Sequence, residues 1–306
     1  MQGRNFMELI RARWAEGKFV CVGLDSEFGK IPAAAHRKGN ECAVDVANTM
    51  VAFNRAIVEA THDLVCAYKP NIAFFEACGV DGLAALQRTI IEIHAIAPKV
   101  PVILDAKRAD IGNTNNGYVA GAFKGLEADA ITVHPYLGQE ALRPFLDQKD
   151  KGVIVLCRTS NPGAGEFQDL QVGIGRDEFH DLTRVHAIPT SMNEVGYLTS
   201  LSNHVAYCVS QQWNANGNCA LVVGATYPDE LRSIRAIVGD MPILIPGIGK
   251  QGGDIEQTVK AGKDRNGTGM IINNSSGIIF AGSGEDFADV ARIKALEMHE
   301  AINQYR

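Results

Sequence analysis

The sequence predicts an α/β fold of the (β/α)8 barrel class, a TIM barrel, built as one domain over residues 1–306. Eight short apolar runs alternate with segments of helical periodicity, and most runs are apolar at consecutive positions, as in parallel strands covered by helices. Polar or charged residues follow the runs at their C-terminal ends, where barrels place their active sites. An open, doubly wound sheet is the alternative that the same alternation allows.

The candidate strands each begin in an apolar run and end in polar residues or glycine. They are Phe19–Asp25, Leu64–Lys69, Val102–Lys107, Ala130–His134, Val153–Arg158, Ala220–Ala225, Ile243–Gly247 and Gly269–Asn273. Apolar residues recur at helical spacing in Glu41–Asp63, Gly79–Ala97 and Phe287–Ile302. Pro98 ends the second of these helices because proline cannot extend a helix. The segment Met1–Gly17 mixes charged and apolar residues and predicts an amphipathic N-terminal helix.

One segment, Arg158–Asn193, interrupts this alternation. It is rich in Gly, Pro, Asp and Thr and shows no sustained periodicity, so the sequence predicts a long loop insertion at about 158–193. Because it follows the fifth strand, it would lie at the mouth of the barrel. We therefore expect a lid, with a surface insertion without function as the alternative.

Composition narrows the class of protein. Hydrophobic residues make up 46% and charged residues 21% of the chain, which is typical of a soluble globular protein. The formal net charge of -6 argues against a nucleic-acid partner. No run approaches the roughly 20 apolar residues of a membrane span, and the N-terminus lacks the apolar core of a signal peptide. These observations predict a cytoplasmic protein that binds no membrane.

Cysteine and histidine patterns do not indicate a metal site. The seven cysteines are scattered without CxxC spacing, and no His/Asp/Glu spacing is typical of zinc. We interpret the cysteines as buried, reduced thiols.

Charged residues stand at the end of the third apolar run. On a strand, Asp105 and Lys107 share one face at roughly 6 to 7 Å between Cα atoms, and Asp110 falls in the following turn. Such groups are costly to bury unless they pair or take part in chemistry. With Asp25 and Lys69 at two other strand ends, they predict an acid–base cluster at the barrel mouth.

A glycine-rich segment, Pro246–Gly253, follows the seventh strand and precedes a helix. It contains GxGxxG, but the acidic residue of a dinucleotide site is missing from the next strand, which ends in Asn273-Asn274. Loops after strands seven and eight of a barrel often bind phosphate through backbone N–H groups. A phosphate site is the favoured interpretation; a dinucleotide site and a purely structural turn are the alternatives.

The charged segment resembles the signature of orotidine 5′-phosphate decarboxylases in their longer bacterial form. The matching run is Asp105-Ala106-Lys107-Arg108-Ala109-Asp110-Ile111-Gly112-Asn113-Thr114. Further matches occur in order and span most of the chain: Gly23-Leu24-Asp25, Tyr68-Lys69-Pro70-Asn71, Thr132-Val133-His134-Pro135-Tyr136, Thr159-Ser160-Asn161-Pro162 and Pro246-Gly247-Ile248-Gly249.

The resemblance implies a TIM-barrel lyase of pyrimidine biosynthesis. Such an enzyme decarboxylates orotidine 5′-phosphate (OMP) to uridine 5′-phosphate (UMP) without a metal or cofactor. It implies that Asp105 disfavours the substrate carboxylate and that Lys107 stabilises and then protonates the carbanion at C6. Lys69 would link Asp25 and Asp105, and Asp25 would also contact the ribose.

The remaining roles implied by the resemblance concern binding. Thr159 and Ser160 would face the pyrimidine and Asn71 the sugar. The phosphate would be bound by the glycine loop, with Gly247, Gly249 and Gln251 as candidate contacts. The resemblance also implies a homodimer in which Asp110 and Thr114 complete the partner's site.

The sequence departs from the family pattern at the phosphate end. Where the family usually has an arginine after strand eight, this chain has Ser276. A serine lacks the charge and the bidentate geometry of arginine, so we expect Lys250 in the glycine loop to supply the charge.

Two other functions remain open from the sequence. Sugar-phosphate decarboxylases and aldolases of the same superfamily carry a similar Asp-x-Lys-x-x-Asp motif but use Mg²⁺. They would be expected to have an acidic ligand where this chain has Lys69, whose charge repels a cation. The third possibility is a non-catalytic nucleotide-binding relative, with Ser276 as its weakened phosphate contact.

Overall fold

Parallel strands arranged around one axis form the centre of the molecule. The computed structural model describes residues 4–39, 44–184, 191–193, 196–248 and 253–306. The barrel strands are β1 Val20–Leu24, β2 Val65–Pro70, β3 Ile103–Arg108, β4 Ala130–Val133, β5 Gly152–Arg158, β9 Cys219–Val223, β10 Ile243–Ile245 and β11 Met270–Asn274.

The strand order closes the sheet into a barrel. Neighbours pair in parallel in the order β2-β1-β11-β10-β9-β5-β4-β3. Two isolated parallel bridges, Tyr68 with Val102 and Asn71 with Asp105, bring the terminal strands β2 and β3 together. The (β/α)8 prediction is therefore confirmed, and the open-sheet alternative is wrong.

Helices follow the strands and cover the outside of the barrel. They are α1 Phe6–Ala15, α2 Val46–Thr61, α3 Ile72–Glu76, α4 Gly79–Ile96, α5 Gly112–Ala120, α6 Gly138–Leu146, α7 Gly165–Gln168, α8 Arg176–Arg184, α9 Leu201–Tyr207, α10 Pro228–Val238, α11 Ile255–Gly262, α12 Ser276–Ile279 and α13 Phe287–Tyr305. Local signals in the sequence set their ends: Asp45 caps α2 by accepting from the backbone N–H of Asn48 at 2.8 Å, and α4 ends two residues before Pro98.

The N-terminal helix α1 closes the barrel at the end where the strands begin. The indole of Trp14 donates to the carbonyl of Met270 at 2.8 Å, and Arg13 donates to that of Val65 at 2.9 Å. Phe6 lies against Gly152, where a Cβ atom would stand 2.4 Å from the ring. Because these contacts lie at strand starts, the opposite end remains open for a site.

The segment after β5 contains regular structure where the sequence predicts only a long loop. Helices α7 and α8 are followed by strand β7 Ser191–Asn193, and β6 Gln171–Ile174, β8 Gly196–Ser200 and β7 form an antiparallel sheet in the order β6-β8-β7. These elements are three to nine residues long. Elements this short do not show the periodicity that would reveal them in the sequence.

The cysteines that the structure describes are free thiols; the predicted burial is confirmed for four of them and is incomplete for two. Cys21, Cys66, Cys157 and Cys219 are buried, whereas Cys78 and Cys208 are half-buried; Cys42 lies outside the described residues. Burial raises the pKa of the Cys21 thiol to about 12, so this thiol stays protonated and unreactive. Among the described residues, no helix is long and apolar enough to cross a membrane.

Candidate active site

A cavity of about 360 Å³ opens at the C-terminal ends of the barrel strands. It is lined by eight of the residues that the sequence predicts as site residues: Asp25, Lys69, Asp105, Lys107, Thr159, Ser160, Gly247 and Ser276. Six strands supply these residues or the turns that follow them. The structure thus brings most of the predicted site together at the end of the barrel where the sequence places it.

Asp105 is the centre of a buried charge cluster. Its carboxylate accepts from the Lys69 Nζ at 2.8 Å and from the Lys107 Nζ at 2.6 Å, one on each oxygen. The hydroxyl of Thr132, on β4, donates to the same carboxylate at 2.9 Å. A carboxylate with three donors is held in one orientation, so its negative charge has a fixed position in the cavity.

Asp25 extends the cluster from the end of β1. Its Oδ1 lies 3.7 Å from the Lys69 Nζ, which is an ion pair at longer range than a hydrogen bond. Lys69 is nearly inaccessible, with 5% of its side chain exposed, whereas that of Lys107 is 51% exposed. Lys69 therefore lies within the protein between two carboxylates, and Lys107 is the ammonium that a substrate can reach.

The cluster keeps Asp105 and Lys69 ionised. Burial alone would raise the pKa of Asp105, but the charges of Lys69 and Lys107 and their hydrogen bonds outweigh it and hold that pKa well below the usual range. Burial alone would lower the pKa of Lys69, but the carboxylates of Asp105 and Asp25 outweigh it and raise that pKa. The site therefore holds fixed, alternating charges at neutral pH.

The end of β3 departs from regular strand geometry. Lys107 has a φ of 47°, in the left-handed region, and the pairing with β4 shifts register between Leu104 and Arg108. The Thr132 hydroxyl accepts from the backbone N–H groups of Ala106 and Lys107, at 3.0 Å each. These bonds support a conformation that is unfavourable for a residue other than glycine, and strain of this kind is typical of functional sites.

The end of β11 forms the opposite wall of the cavity with Asn273, Asn274, Ser275 and Ser276. Ser275 lies so close to β1 that a Cβ atom at Gly23 would stand 1.9 Å from its hydroxyl. The buried Oδ1 of Asn273 has no hydrogen-bond partner among the described residues. This wall therefore offers uncharged polar groups to a ligand.

The glycine-rich segment is described only at its two ends. Gly247 lines the cavity with a φ of 104°, which favours glycine, and its carbonyl accepts from the N–H of Gly253 at 3.1 Å. Gly249, Lys250 and Gln251 lie outside the described residues. Their assignment to a phosphate site stays a prediction.

Three predicted residues do not line the cavity of their own chain. The side chain of Asn71 caps α3 by accepting from the N–H of Ala73 at 3.2 Å. The carboxylate of Asp110 accepts from the N–H of Ile111 at 2.7 Å, and Thr114 is exposed on α5. For Asp110 and Thr114 a role in a partner's site stays a prediction; Asn71 is a helix cap in this structure.

Other residues line the cavity without having been predicted as site residues, among them Thr132, Asn161, Leu156, Val222 and Leu244. The sequence does indicate a role for Thr132, because the run from Thr132 to Tyr136 matches the family pattern and lies at the end of a predicted strand. The apolar residues gave no signal that distinguishes them from core positions, since every barrel strand is apolar.

The model of the orotidine 5′-phosphate decarboxylase / HUMPS family matches residues 20–288. Orotidine 5′-phosphate decarboxylase from Azoarcus sp. (strain BH72) is 47% identical over 303 residues, which are 99% of this chain and 100% of that protein. The protein of the same name from Dechloromonas aromatica (strain RCB) is 45% identical over 303 residues, again 99% of this chain and 100% of that protein.

Solved structures give the same similarity. Leishmania donovani OMP decarboxylase superposes with a TM-score of 0.74 at 35% identity, over 97% of this chain and 99% of that one. Leishmania donovani UMP synthase superposes with a TM-score of 0.79 at 37% identity over 99% of this chain. This chain spans 56% of the length of that UMP synthase.

Proposed function

This chain belongs to the orotidine 5′-phosphate decarboxylase / HUMPS family, and we propose that it decarboxylates OMP to UMP with Asp105 and Lys107 as the reacting pair. The observation that carries this assignment of residues is the contact of the Lys107 Nζ with the Asp105 carboxylate, at 2.6 Å. A fixed anion and an accessible ammonium lie side by side at the open end of the barrel, where the reacting carbon would bind.

The negative charge of Asp105 acts on the substrate before the reaction. The C6 carboxylate of OMP is anionic, and two like charges near 4 Å repel by about 4 kcal/mol at an effective dielectric of 20. Loss of CO₂ removes this repulsion, so Asp105 favours the transition state over the bound substrate. Asp105 cannot relieve the repulsion by taking up a proton, because its pKa is held well below the usual range.

Lys107 acts on the charge that develops at C6. When the C6–carboxylate bond breaks, CO₂ leaves and the electron pair remains on C6. A pre-placed ammonium stabilises that pair without reorganisation of solvent. Lys107 then donates a proton from Nζ to C6, which gives UMP and a neutral amine that takes a proton back from water.

Lys69 and Asp25 hold this pair in place. Lys69 bonds the Asp105 oxygen that Lys107 does not use, and Asp25 lies on the other side of Lys69. Asp25 is also positioned to accept from a ribose hydroxyl, since part of its side chain is exposed to the cavity.

The pyrimidine and the phosphate of the nucleotide bind at different walls of the cavity. Thr159 and Ser160, after β5, are assigned to the pyrimidine. Ser276 and Gly247, with Gly249, Lys250 and Gln251 from the glycine loop, are assigned to the phosphate. Binding energy from this remote phosphate can be used to hold the reacting groups together.

The active form in this proposal is a homodimer. Asp110 and Thr114 lie near the catalytic residues in sequence but outside the cavity of their own chain. Ile111, between them, is 62% exposed, and Tyr136, after β4, is 87% exposed. A second subunit would cover these apolar side chains and receive Asp110 and Thr114 in its site.

The Mg²⁺-dependent branch of the superfamily is less well supported. A metal ligand needs a free carboxylate oxygen, whereas both oxygens of Asp105 accept from ammonium groups. The buried charge of Lys69 also repels a divalent cation.

The proposal is tested by adding the purified protein to OMP and following the decrease in substrate absorbance and the release of CO₂. We expect one UMP and one CO₂ for each OMP consumed, at a rate that EDTA does not change. Binding of UMP without turnover would contradict the proposal and favour the non-catalytic relative. Loss of activity in EDTA would favour the Mg²⁺-dependent class.

A further inference from the structure

Gln168, at the end of α7, holds Thr159 through two hydrogen bonds. The Gln168 Oε1 accepts from the backbone N–H of Thr159 at 2.8 Å, and the Gln168 Nε2 donates to the Thr159 Oγ1 at 3.0 Å. One planar amide therefore fixes both the backbone and the side chain of a residue that lines the cavity. Gln168 itself is not among the residues that line the cavity.

The hydroxyl of Thr159 is already engaged within the loop. It accepts from Gln168 and donates to the Asn161 Oδ1 at 2.7 Å. Its backbone carbonyl accepts from the Arg158 Nη1 at 2.8 Å. These bonds fix Thr159 and, with it, the path of the chain into Ser160.

The residue after Gln168 anchors the same loop to the barrel. The carboxylate of Asp169 lies 2.8 Å from the Nε of Arg158, and the guanidinium lies over the ring of Tyr227 with 3.9 Å to the centroid. Arg158 is only 1% exposed. Because Arg158 ends β5, the start and the end of the loop 159–169 are tied to one buried group.

The other side of Ser160 is confined by Gly224, which follows β9. A Cβ atom at Gly224 would stand 2.7 to 2.9 Å from atoms of Ser160, so the glycine lets the two segments touch. The N–H of Gly224 donates to the carbonyl of Arg158 at 2.7 Å. Ser160 is thus held between Gly224 on one side and the Thr159–Gln168 pair on the other.

We propose that Gln168 is a positioning residue that holds Thr159, and through it Ser160, in the orientation that binds the pyrimidine. This inference rests on the proposed function, since it assigns Ser160 to the base of the nucleotide. It adds a residue that never contacts the substrate and predicts that its loss weakens recognition of the base alone.

The test compares two ligands that share the sugar and the phosphate but differ in the base. In Gln168→Met, a side chain of similar length without hydrogen-bonding groups, we expect UMP to bind about tenfold more weakly because Thr159 loses both hydrogen bonds to Gln168. Ribose 5-phosphate should bind as it does to the wild-type protein. Calorimetry measures both affinities without any turnover.

Two further variants complete the comparison. Gln168→Glu keeps an acceptor for the Thr159 N–H, so its affinity for UMP should fall between those of the wild type and Gln168→Met. Gln211→Met, the same change at an exposed glutamine on the surface, should bind both ligands normally. If Gln168→Met does not fold, Gln168→Glu answers the same question.

Unchanged UMP affinity in both Gln168 variants would overturn the inference, and so would an equal loss for the two ligands. A failure of the proposed function is seen separately. In that case the wild-type protein would not turn over OMP, while the comparison of UMP with ribose 5-phosphate would still decide the role of Gln168.

Discussion

Asp105 shows how single residues set the chemistry of this barrel. The sequence places Asp105, Lys107, Lys69 and Asp25 at strand ends, and strand topology alone brings them together, which is why they could be predicted. The donor Thr132 and the left-handed backbone of Lys107 could not, because both depend on a local shift in the pairing of β3 with β4. Alternation along a strand predicts a shared face; it does not predict an irregularity that creates a contact.

The ionisation of Asp105 predicts a pH dependence of stability. Because its pKa is lower in the folded protein, Asp105 stabilises the fold fully above the unfolded value of about 3.9, and this stabilisation is lost as the pH falls towards the folded value. The free energy of unfolding of the wild type, minus that of Asp105→Asn, should be constant between about pH 5 and pH 7 and decrease below about pH 4. Urea titrations of both proteins at each pH measure these free energies of unfolding.

The other carboxylates also make the free energy of unfolding depend on pH. They are common to both proteins, so subtracting the value for Asp105→Asn removes their contribution. If the difference between the two free energies of unfolding stays constant down to about pH 3, the pKa of Asp105 is not lowered in the folded state.

The phosphate end gives a second prediction at the residue scale. If Lys250 supplies the charge that Ser276 lacks, Lys250→Ala should raise the KM for OMP about tenfold, because a charge-assisted bond to the phosphate is lost. Adding Ser276→Arg to that variant should recover part of the affinity, since it restores the family's usual residue. Steady-state kinetics on the three proteins checks this.

An unchanged KM and kcat/KM in Lys250→Ala would contradict the role of Lys250. Lys260→Ala is the control, because Lys260 is an exposed lysine that pairs with Glu256 on α11.

Among the elements, the barrel strands were predictable because burial on both faces leaves long apolar runs in the sequence. All eight predicted strands occur in the structure, with ends that differ by at most two residues. The α7–β8 segment was not predictable, because β6 has a partly exposed face and the strands of the segment lie in a small sheet outside the barrel. Gln168 belongs to this segment, so its contact with Thr159 had no signal in the sequence.

Close packing of β1 on the end of β11 predicts the effect of one added methyl group. In Gly23→Ala the Cβ atom would stand 1.9 Å from the Ser275 hydroxyl, so the cavity wall must move. We expect a loss of about 1 to 3 kcal/mol in the free energy of unfolding, together with a lower kcat/KM. Chemical denaturation and steady-state kinetics measure the two effects.

Gly29→Ala is the matched control, because nothing lies within 4 Å of the added atom. Equal stability and activity of Gly23→Ala and Gly29→Ala would show that the β1–β11 contact does not constrain the site.

At the scale of the whole molecule, the proposal has Asp110 and Thr114 of one subunit completing the site of the other. The proposed dimer predicts complementation between two inactive variants, Lys107→Ala and Asp110→Ala. In a mixed dimer one site has an intact Lys107 from one subunit and an intact Asp110 from the other. Random exchange of subunits makes half of the dimers mixed, so about a quarter of the wild-type activity should return.

Activity of the mixture is measured after denaturing and refolding the two variants together. Each variant refolded alone is the control. If the mixture is no more active than the controls, Asp110 does not act across an interface.

The central claim is that Lys107 stabilises and protonates C6 of OMP. The most direct test is turnover of OMP by Lys107→Ala in D₂O, beside the wild type and the exposed-lysine control Lys260→Ala. We predict that the wild type and the control give UMP with deuterium at C6, and that Lys107→Ala, with an unchanged circular dichroism spectrum, gives no detectable UMP. Full turnover of OMP by a folded Lys107→Ala protein would contradict the account.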